Sequence, residues 1–120
     1  MAVTWITGNS GSGKTTHAWL LRGKILQEGR RPVLLDGDVM RSVWPGLGLG
    51  EADRRTQNLR VARLAKCISD QGLDVIVATI CPYRDLRAQV QEITGCEFVY
   101  MPGGKSGLDY PYEAPLEAPL

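Results

Sequence analysis

The sequence predicts an α/β fold in which helices cover both faces of a parallel sheet of about four strands, giving three layers (α/β/α). The first observation is that short apolar runs alternate along the chain with longer segments of helical spacing. The second is a run of glycine, asparagine and serine at residues 8–13, between the first apolar run and the first helical segment. Strands joined by helical crossovers pair in parallel with right-handed connections, so the alternation itself indicates the class.

Length and composition indicate one ordinary domain. The chain has 120 residues, 43% of them hydrophobic and 22% charged, and a formal net charge of +1. These values disfavour nucleic acid or a membrane as a partner, although a local basic cluster can still bind a small phosphorylated molecule. Apolar runs of about six residues are too short to cross a bilayer, and the N-terminus lacks the basic-then-apolar pattern of a signal segment.

The cysteines predict a reducing environment. Cys67, Cys81 and Cys96 are odd in number and show no C-x-x-C spacing. A disulfide framework or a zinc site is therefore not expected, and the simplest location is the cytoplasm.

The first part of the chain reads strand, glycine-rich loop, helix, strand. Residues 3–7 are apolar and partly β-branched, as in a strand, and the spacing predicts a helix over residues 14–28 that ends at Gly29. Residues 32–35 form an unbroken apolar run, as expected of a strand covered on both faces.

The second part continues the alternation, and its longest helix carries a cluster of arginines. Arg54, Arg55, Arg60 and Arg63 lie in or near the first half of that helix. The predicted elements, in order, are a short helix at 39–43, a Pro/Gly loop at 44–50, the long helix at 51–71, a strand at 75–80, a helix at 85–93 and a strand at 97–101. We therefore expect an α/β domain over residues 1–101 and a Pro- and Gly-rich C-terminal tail over residues 102–120.

The glycine-rich segment fits the phosphate-binding pattern G-x-x-x-x-G-K-[ST], with a strand before it and a helix after it. Its backbone N–H groups and the helix N-terminus can hold the phosphates of ATP. Lys14 is expected to reach the β- and γ-phosphates, and the Thr15 hydroxyl to bind Mg²⁺. The alternative is a Gly/Ser turn that matches by chance. The predicted nucleotide-binding residues are Gly8, Asn9, Ser10, Gly11, Ser12, Gly13, Lys14, Thr15 and Thr16.

Two carboxylates, Asp36 and Asp38, follow the second predicted strand. The carboxyl ends of parallel strands form the edge at which such sheets bind ligands, so these side chains are candidates for the reaction site. For Asp38 the alternative is a helix N-cap of the segment that begins at Val39.

Seven segments together resemble the adenylylsulfate kinases, P-loop kinases that phosphorylate the 3′-hydroxyl of adenosine 5′-phosphosulfate (adenylylsulfate, APS) to give PAPS. The resemblance covers nearly the whole chain. It is carried by W-I-T-G at 5–8 with the P-loop, L-D-G-D at 35–38 with Arg41, L-G at 47–48, R-T-Q-N-L-R at 55–60, I-C-P-Y-R at 80–84, G-L-D at 107–109 and P-Y-E at 111–113. It implies a P-loop NTPase fold, ATP and Mg²⁺ as cofactors, and a role in sulfate assimilation.

The resemblance also implies residue roles. Asp38 would be the catalytic base, Asp36 would lie near Mg²⁺ with Thr15, and Lys14 would act on the transferred phosphoryl group. The implied substrate-binding residues are Asp38, Arg41, Leu49, Arg55, Asn58, Ile80, Cys81 and Leu108. Plain alternatives remain for several of these: solvated surface residues for the arginines and Asn58, and a small buried residue for Cys81.

Four departures from the family pattern bear on the substrate. Leu49 and Lys105 stand where the family has aromatic residues that sandwich adenine, Val61 replaces a second arginine, and Cys81 replaces a serine. The fourth departure is the lid, a long Arg- and Lys-rich segment that follows the last of these strands in the family. Here the chain passes from Met101 to Gly107 without it.

We therefore expect an ATP-dependent phosphotransferase acting on a small nucleotide-like substrate, with APS as the default. A different nucleotide or polynucleotide acceptor is a second hypothesis, favoured by the lost aromatics. A non-catalytic nucleotide-binding module is a third, favoured by the missing lid. The exposed sheet edge that a missing fifth strand would leave is compatible with a homodimer.

Overall fold

A computed structural model describes residues 2–116 and confirms the three-layer α/β architecture. The elements, in chain order, are β1 (Val3–Thr7), α1 (Lys14–Gln27), β2 (Pro32–Asp36), α2 (Gly37–Val43), α3 (Glu51–Ser69), β3 (Asp74–Thr79), α4 (Arg84–Thr94) and β4 (Glu97–Tyr100). Each predicted helix and strand is present, with boundaries that differ by at most two residues. None of the helices in this described part of the chain is long and apolar enough to cross a membrane.

The four strands are parallel and lie in the order β2-β3-β1-β4. Trp5 of β1 lies opposite Val77 of β3 on one side and Phe98 of β4 on the other. After β1 the chain crosses over β3 to reach β2, and after β3 it crosses over β1 in the opposite direction to reach β4. The carboxyl ends of β1 and β3 therefore form the switch point of the sheet, where open α/β sheets bind ligands.

Right-handed crossovers place α1 on one face of the sheet and α3 and α4 on the other. On the first face, Ile6 and Ile76 pack against Ala18 and Ile25 of α1. On the second face, the larger core includes Trp5, Leu35, Val75 and Val77 and the apolar sides of α3 and α4. Both faces are covered, which explains why the strands read as unbroken apolar runs.

Helix α2 begins at Gly37, two residues earlier than predicted, because Asp36 caps it. The Asp36 Oδ1 atom accepts a hydrogen bond from the Asp38 backbone N–H at 2.9 Å. Asp36 is thus the N-cap residue and Asp38 lies in the first turn. The alternative in which Asp38 itself caps the segment from Val39 is wrong, and the Asp38 carboxylate is not used as a cap.

A buried chain of hydrogen bonds joins β1, β3 and α3 behind the switch point. Trp5 Nε1 donates to Thr79 Oγ1 at 2.9 Å, and Thr79 Oγ1 donates to Asn58 Oδ1 at 2.7 Å. Asn58 Nδ2 in turn donates to the Arg54 carbonyl at 2.9 Å. Buried polar groups are costly without partners, so this chain fixes α3 relative to the sheet.

Replacing Thr79 with valine is expected to destabilise the protein by about 1–3 kcal/mol, because the Trp5 N–H and the Asn58 carbonyl both lose a buried partner at nearly constant volume. The free energy of unfolding in urea measures the effect. Thr4→Val on the neighbouring strand is the matched control, since no side-chain partner of Thr4 occurs in residues 2–116. A change within about 0.5 kcal/mol for Thr79→Val would contradict the structural role of this hydroxyl.

The chain after β4 contains no helix or strand up to residue 116, yet it folds back over the carboxyl edge of the sheet. The Tyr112 hydroxyl lies 2.8 Å from Thr7 Oγ1, and the Glu113 N–H donates to the Pro82 carbonyl at 2.7 Å. Arg84 Nε donates to the Ala114 carbonyl at 2.7 Å. The described part of the predicted tail thus packs on its own chain; residues 117–120 lie outside the described residues.

Candidate active site

A cavity of about 190 Å³ opens where β1, β2 and β3 end. The P-loop, α2, α3 and the residues after β3 form its walls. Its lining is Ser10, Gly11, Lys14, Thr15, Asp36, Gly37, Asp38, Arg41, Arg54, Gln57, Asn58, Ala78, Thr79, Ile80 and Pro82. The structure thus brings together the Lys14, Thr15, Asp36, Asp38, Arg41, Asn58 and Ile80 that the sequence singled out.

The P-loop turns tightly between β1 and α1. The Ser12 N–H donates to the Asn9 carbonyl at 3.1 Å, and Gly13 precedes the helix in a left-handed conformation. A Cβ on Gly8 would lie 2.5 Å from the Met101 carbonyl oxygen, so no side chain fits there. Of the predicted nucleotide-binding residues, Ser10, Gly11, Lys14 and Thr15 line the cavity; the remaining members lie elsewhere in the loop, namely Gly8, Asn9, Ser12, Gly13 and Thr16.

Lys14 points into the cavity and is held by the loop itself. Its Nζ donates to the Asn9 carbonyl at 3.0 Å. Burial lowers the pKa of Lys14, while the nearby Asp38 and Asp36 carboxylates act in the opposite direction. A cation in a partly desolvated site attracts a phosphate more strongly than the same cation in water, although the two carboxylates offset part of that attraction.

Thr15 and Asp36 meet across the start of α1. Thr15 Oγ1 donates to Asp36 Oδ2 at 3.3 Å, while Oδ1 of the same carboxylate caps α2. Adjacent ligands of an octahedral Mg²⁺ lie about 2.9 Å apart, so these two oxygens fit neighbouring ligand positions. No cluster of three or more His, Cys, Asp or Glu side chains suited to a metal occurs within residues 2–116.

Helix α2 presents Asp38 and Arg41, one helical turn apart, to the same cavity. Asp38 is exposed and Arg41 half-buried. The arrangement places a carboxylate beside the phosphate-binding loop and a cation farther along the same wall. It therefore suits a reaction between a bound phosphate ester and a second, anionic molecule.

Arg54 and Gln57 also line the cavity, and the sequence did not single them out as site residues. Arg54 Nε donates to the Leu49 carbonyl. Gln57 is 7% exposed, and neither polar atom of its side chain has a hydrogen-bond partner among residues 2–116. Arg54 lies one helical turn before both Gln57 and Asn58, and that periodicity could have identified the shared face.

Arg55, an expected substrate contact, is not among the residues that line the cavity. Its guanidinium bonds Asp85 at 2.9 and 3.2 Å and Glu51 at 3.0 Å, and it stacks 4.5 Å from the Tyr83 ring centroid. The hydrogen bond to Asp85 raises the pKa of Arg55, and the same bond lowers the pKa of Asp85. These partners tie α3 to α4, so Arg54 and not Arg55 presents its side chain to the cavity.

Three other predicted substrate-binding residues also lie outside the cavity. The Cys81 side chain is fully buried in the α3–α4 core, where burial raises the pKa of its thiol to about 12. Cys81 has a positive φ of 40°, and its neighbours Ile80 and Pro82 do line the cavity. Leu49 is 59% exposed in the loop before α3, and Leu108 is fully exposed.

Comparison with known proteins gives one consistent family. The family model described as adenylylsulphate kinase matches residues 1–102. The adenylyl-sulfate kinase of Burkholderia ambifaria is 43% identical over 90 residues, which make up 74% of this chain and 50% of that relative. The chain thus spans about half the length of this curated relative.

Solved structures agree with the sequence comparison. The Mycobacterium tuberculosis APS kinase in complex with AMPPNP and APS aligns with a TM-score of 0.74 and 35% identity, covering 82% of this chain and 60% of that one. The hexameric APS kinase from Thiobacillus denitrificans aligns with a TM-score of 0.78 and 33% identity, covering 98% of this chain and 24% of the other.

Proposed function

The chain belongs to the adenylylsulphate kinase family, and from this premise we propose that it transfers the γ-phosphoryl group of ATP to the 3′-hydroxyl of APS, giving ADP and PAPS. The observation that carries the proposal is the single cavity shared by the P-loop, the Asp36–Asp38 pair and the polar face of α3. Such a cavity can hold a phosphate donor and an acceptor in contact, which is the main requirement of phosphoryl transfer.

The P-loop side would bind ATP. The loop's backbone N–H groups other than those of Ser10 and Ser12, which are bonded to Asn9, would hold the β- and γ-phosphates together with the Lys14 ammonium. Thr15 Oγ1 and Asp36 Oδ2 would hold Mg²⁺, which neutralises charge developing on the phosphates when it is bound. The remaining predicted P-loop residues, Gly8, Asn9, Ser12, Gly13 and Thr16, would keep the loop in this shape.

The α2–α3 side would bind the acceptor. Asp38 would take the proton of the attacking hydroxyl, and Arg41 with Arg54 would hold the anionic groups of APS. The Asn58 amide is engaged by Thr79 and Arg54, so we assign it the positioning of α3. The unpaired Gln57 amide would make the direct contact instead, since a buried amide gains most from a partner that both donates and accepts.

A different nucleotide acceptor is the second candidate, and one observation favours it. Leu49 and Leu108 lie outside the cavity, and no aromatic ring is among its lining residues. Stacking on an aromatic side chain is worth about 1–3 kcal/mol per base. Since every base can stack, the pocket would bind any base more weakly than one with stacking rings, and the adenine of APS would contribute less to the choice of acceptor.

The test is acceptor-dependent ADP release from Mg-ATP by the purified full-length protein. ADP that appears only with APS, together with PAPS identified by mass, supports the proposal. ADP release with other nucleotides or polynucleotide ends, and not with APS, supports the second candidate. Binding of ATP without turnover under any acceptor contradicts both and leaves a nucleotide-binding module.

The oligomeric state and the cellular location of the protein are further proposals. The hexameric Thiobacillus relative supports self-association, and the homodimer expected from the open sheet edge stays a prediction, as does a cytoplasmic location. Sedimentation of the purified chain would test whether it self-associates.

A further inference from the structure

We propose that Asn9 is a positioning residue for ATP, because it fastens the phosphate-binding loop to residues 103–110 of the C-terminal tail. We call residues 103–110 the strap. The inference rests on the proposed function but concerns only the binding of ATP and not the identity of the acceptor.

Asn9 is 5% exposed, and its side chain bonds in two directions. Its Nδ2 donates to the Lys105 carbonyl at 2.7 Å and to the Tyr110 carbonyl at 2.9 Å. Its Oδ1 accepts from the Ser10 N–H at 2.9 Å. One buried amide thus joins the loop to the strap at Lys105 and at Tyr110, and both of its N–H donors are used within the protein.

The backbone of Asn9 holds the catalytic lysine at the same time. The Asn9 carbonyl accepts hydrogen bonds from Lys14 Nζ at 3.0 Å and from the Ser12 N–H at 3.1 Å. A shift of Asn9 would therefore move the Lys14 ammonium as well as the loop. This couples the strap to the group expected to contact the β- and γ-phosphates.

The strap also reaches the loop through its own backbone. The Lys105 N–H donates to the Ser10 carbonyl at 2.8 Å. A Cβ on Gly104 would lie 2.6 Å from the Ser10 carbonyl oxygen and 3.0 Å from the Ser12 nitrogen, so the two backbones are in direct contact. Gly103, the adjacent residue, has nothing within 4 Å of a Cβ, although its φ of 89° is close to the 79° of Gly104.

This contact matters because the loop is rich in glycine. A loop with glycines at positions 8, 11 and 13 loses much conformational freedom when it closes on phosphates, and that entropy is lost from the binding free energy. A loop already held by the strap has less to lose. The strap thus performs part of the ordering that a closing lid would otherwise perform during binding.

The experiment measures binding of Mg-AMPPNP to the full-length protein by calorimetry, with APS binding and thermal unfolding measured beside it. Asn9→Ala removes the side-chain hydrogen bonds from the loop to the strap. Gly104→Ala introduces a clash between the strap and the loop backbone at Ser10. Each is expected to raise the Kd for Mg-AMPPNP about tenfold, as the loss of one or two hydrogen bonds implies. Gly103→Ala is the matched control, since it carries the same backbone strain on the same strap without the clash, and its Kd should stay near that of the wild type.

In the same variants the Kd for APS should not change, which a general loss of structure would not allow. Unchanged AMPPNP binding by Asn9→Ala would overturn the inference, as would equal losses in Gly103→Ala and Gly104→Ala. If Gly104→Ala does not fold, Asn9→Ala alone decides. Failure of the wild type to bind AMPPNP would instead overturn the proposed function, so the two failures are distinguishable.

Discussion

Replacing Lys14 with methionine is expected to lower the acceptor-dependent rate about 10³-fold, the upper range for removing one positioned donor from a charged transition state. Lys14 Nζ is held by the Asn9 carbonyl and projects into the cavity beside the P-loop backbone. Methionine preserves the length of the side chain and removes the charge. Steady-state ADP release with saturating APS measures the loss, and the Kd for Mg-ATP should rise as well.

Stability should not suffer from this change. Burial lowers the pKa of Lys14 in the folded protein, which means that the charged ammonium is disfavoured there by desolvation. Removing it should leave the unfolding free energy unchanged or raise it slightly. Lys24→Met is the matched control, because Lys24 lies in the last turn of the same helix, outside the cavity. A Lys14→Met enzyme within tenfold of the wild-type rate would show that Lys14 does not contact the transferred group.

The fold could be predicted almost completely from the sequence, because its signals are local. Apolar runs specify the strands, glycines such as Gly29 end the helices, and the helical crossovers require parallel pairing. The predicted start of α2 was two residues too late, because the position of the cap depends on which of two nearby carboxylates turns toward the backbone. Asp36 and Asp38 differ in that respect only once β2 has fixed the direction of the chain.

The site was predicted less completely because it depends on where side chains point. In α3, Arg54 and Arg55 are adjacent in sequence but face different directions, one toward the cavity and one toward Asp85 and Tyr83. The carboxylate that attracts Arg55 lies on α4, and no spacing in the sequence reveals that it is there. The contact of the strap with Asn9 was likewise unpredictable, since it joins residues far apart in the chain through backbone carbonyls.

Replacing Asp38 with asparagine is expected to reduce turnover with APS about 10²–10⁴-fold, the usual contribution of a general base. Asp38 is exposed to the cavity, and its backbone N–H is bonded by Asp36, so the amide should leave α2 and its cap intact. Turnover with saturating Mg-ATP and APS measures the effect. Asp70→Asn is the control, since Asp70 forms a surface ion pair with Lys66 at the end of α3.

The Kd for Mg-ATP distinguishes a general base at Asp38 from a residue that acts only through its charge. Asp38 is one of the two carboxylates that raise the pKa of Lys14 against the effect of burial. If Asp38 acts only through Lys14, its removal lowers that pKa into the neutral range and weakens phosphate binding by favouring the neutral amine. If Asp38 is the base, the Asp38→Asn enzyme loses turnover while its Kd for Mg-ATP at pH 7 stays close to the wild-type value. If the lost rate is matched by an equal rise in that Kd and recovers at lower pH, where Lys14 is fully protonated, then Asp38 acts through Lys14 and another group must accept the proton.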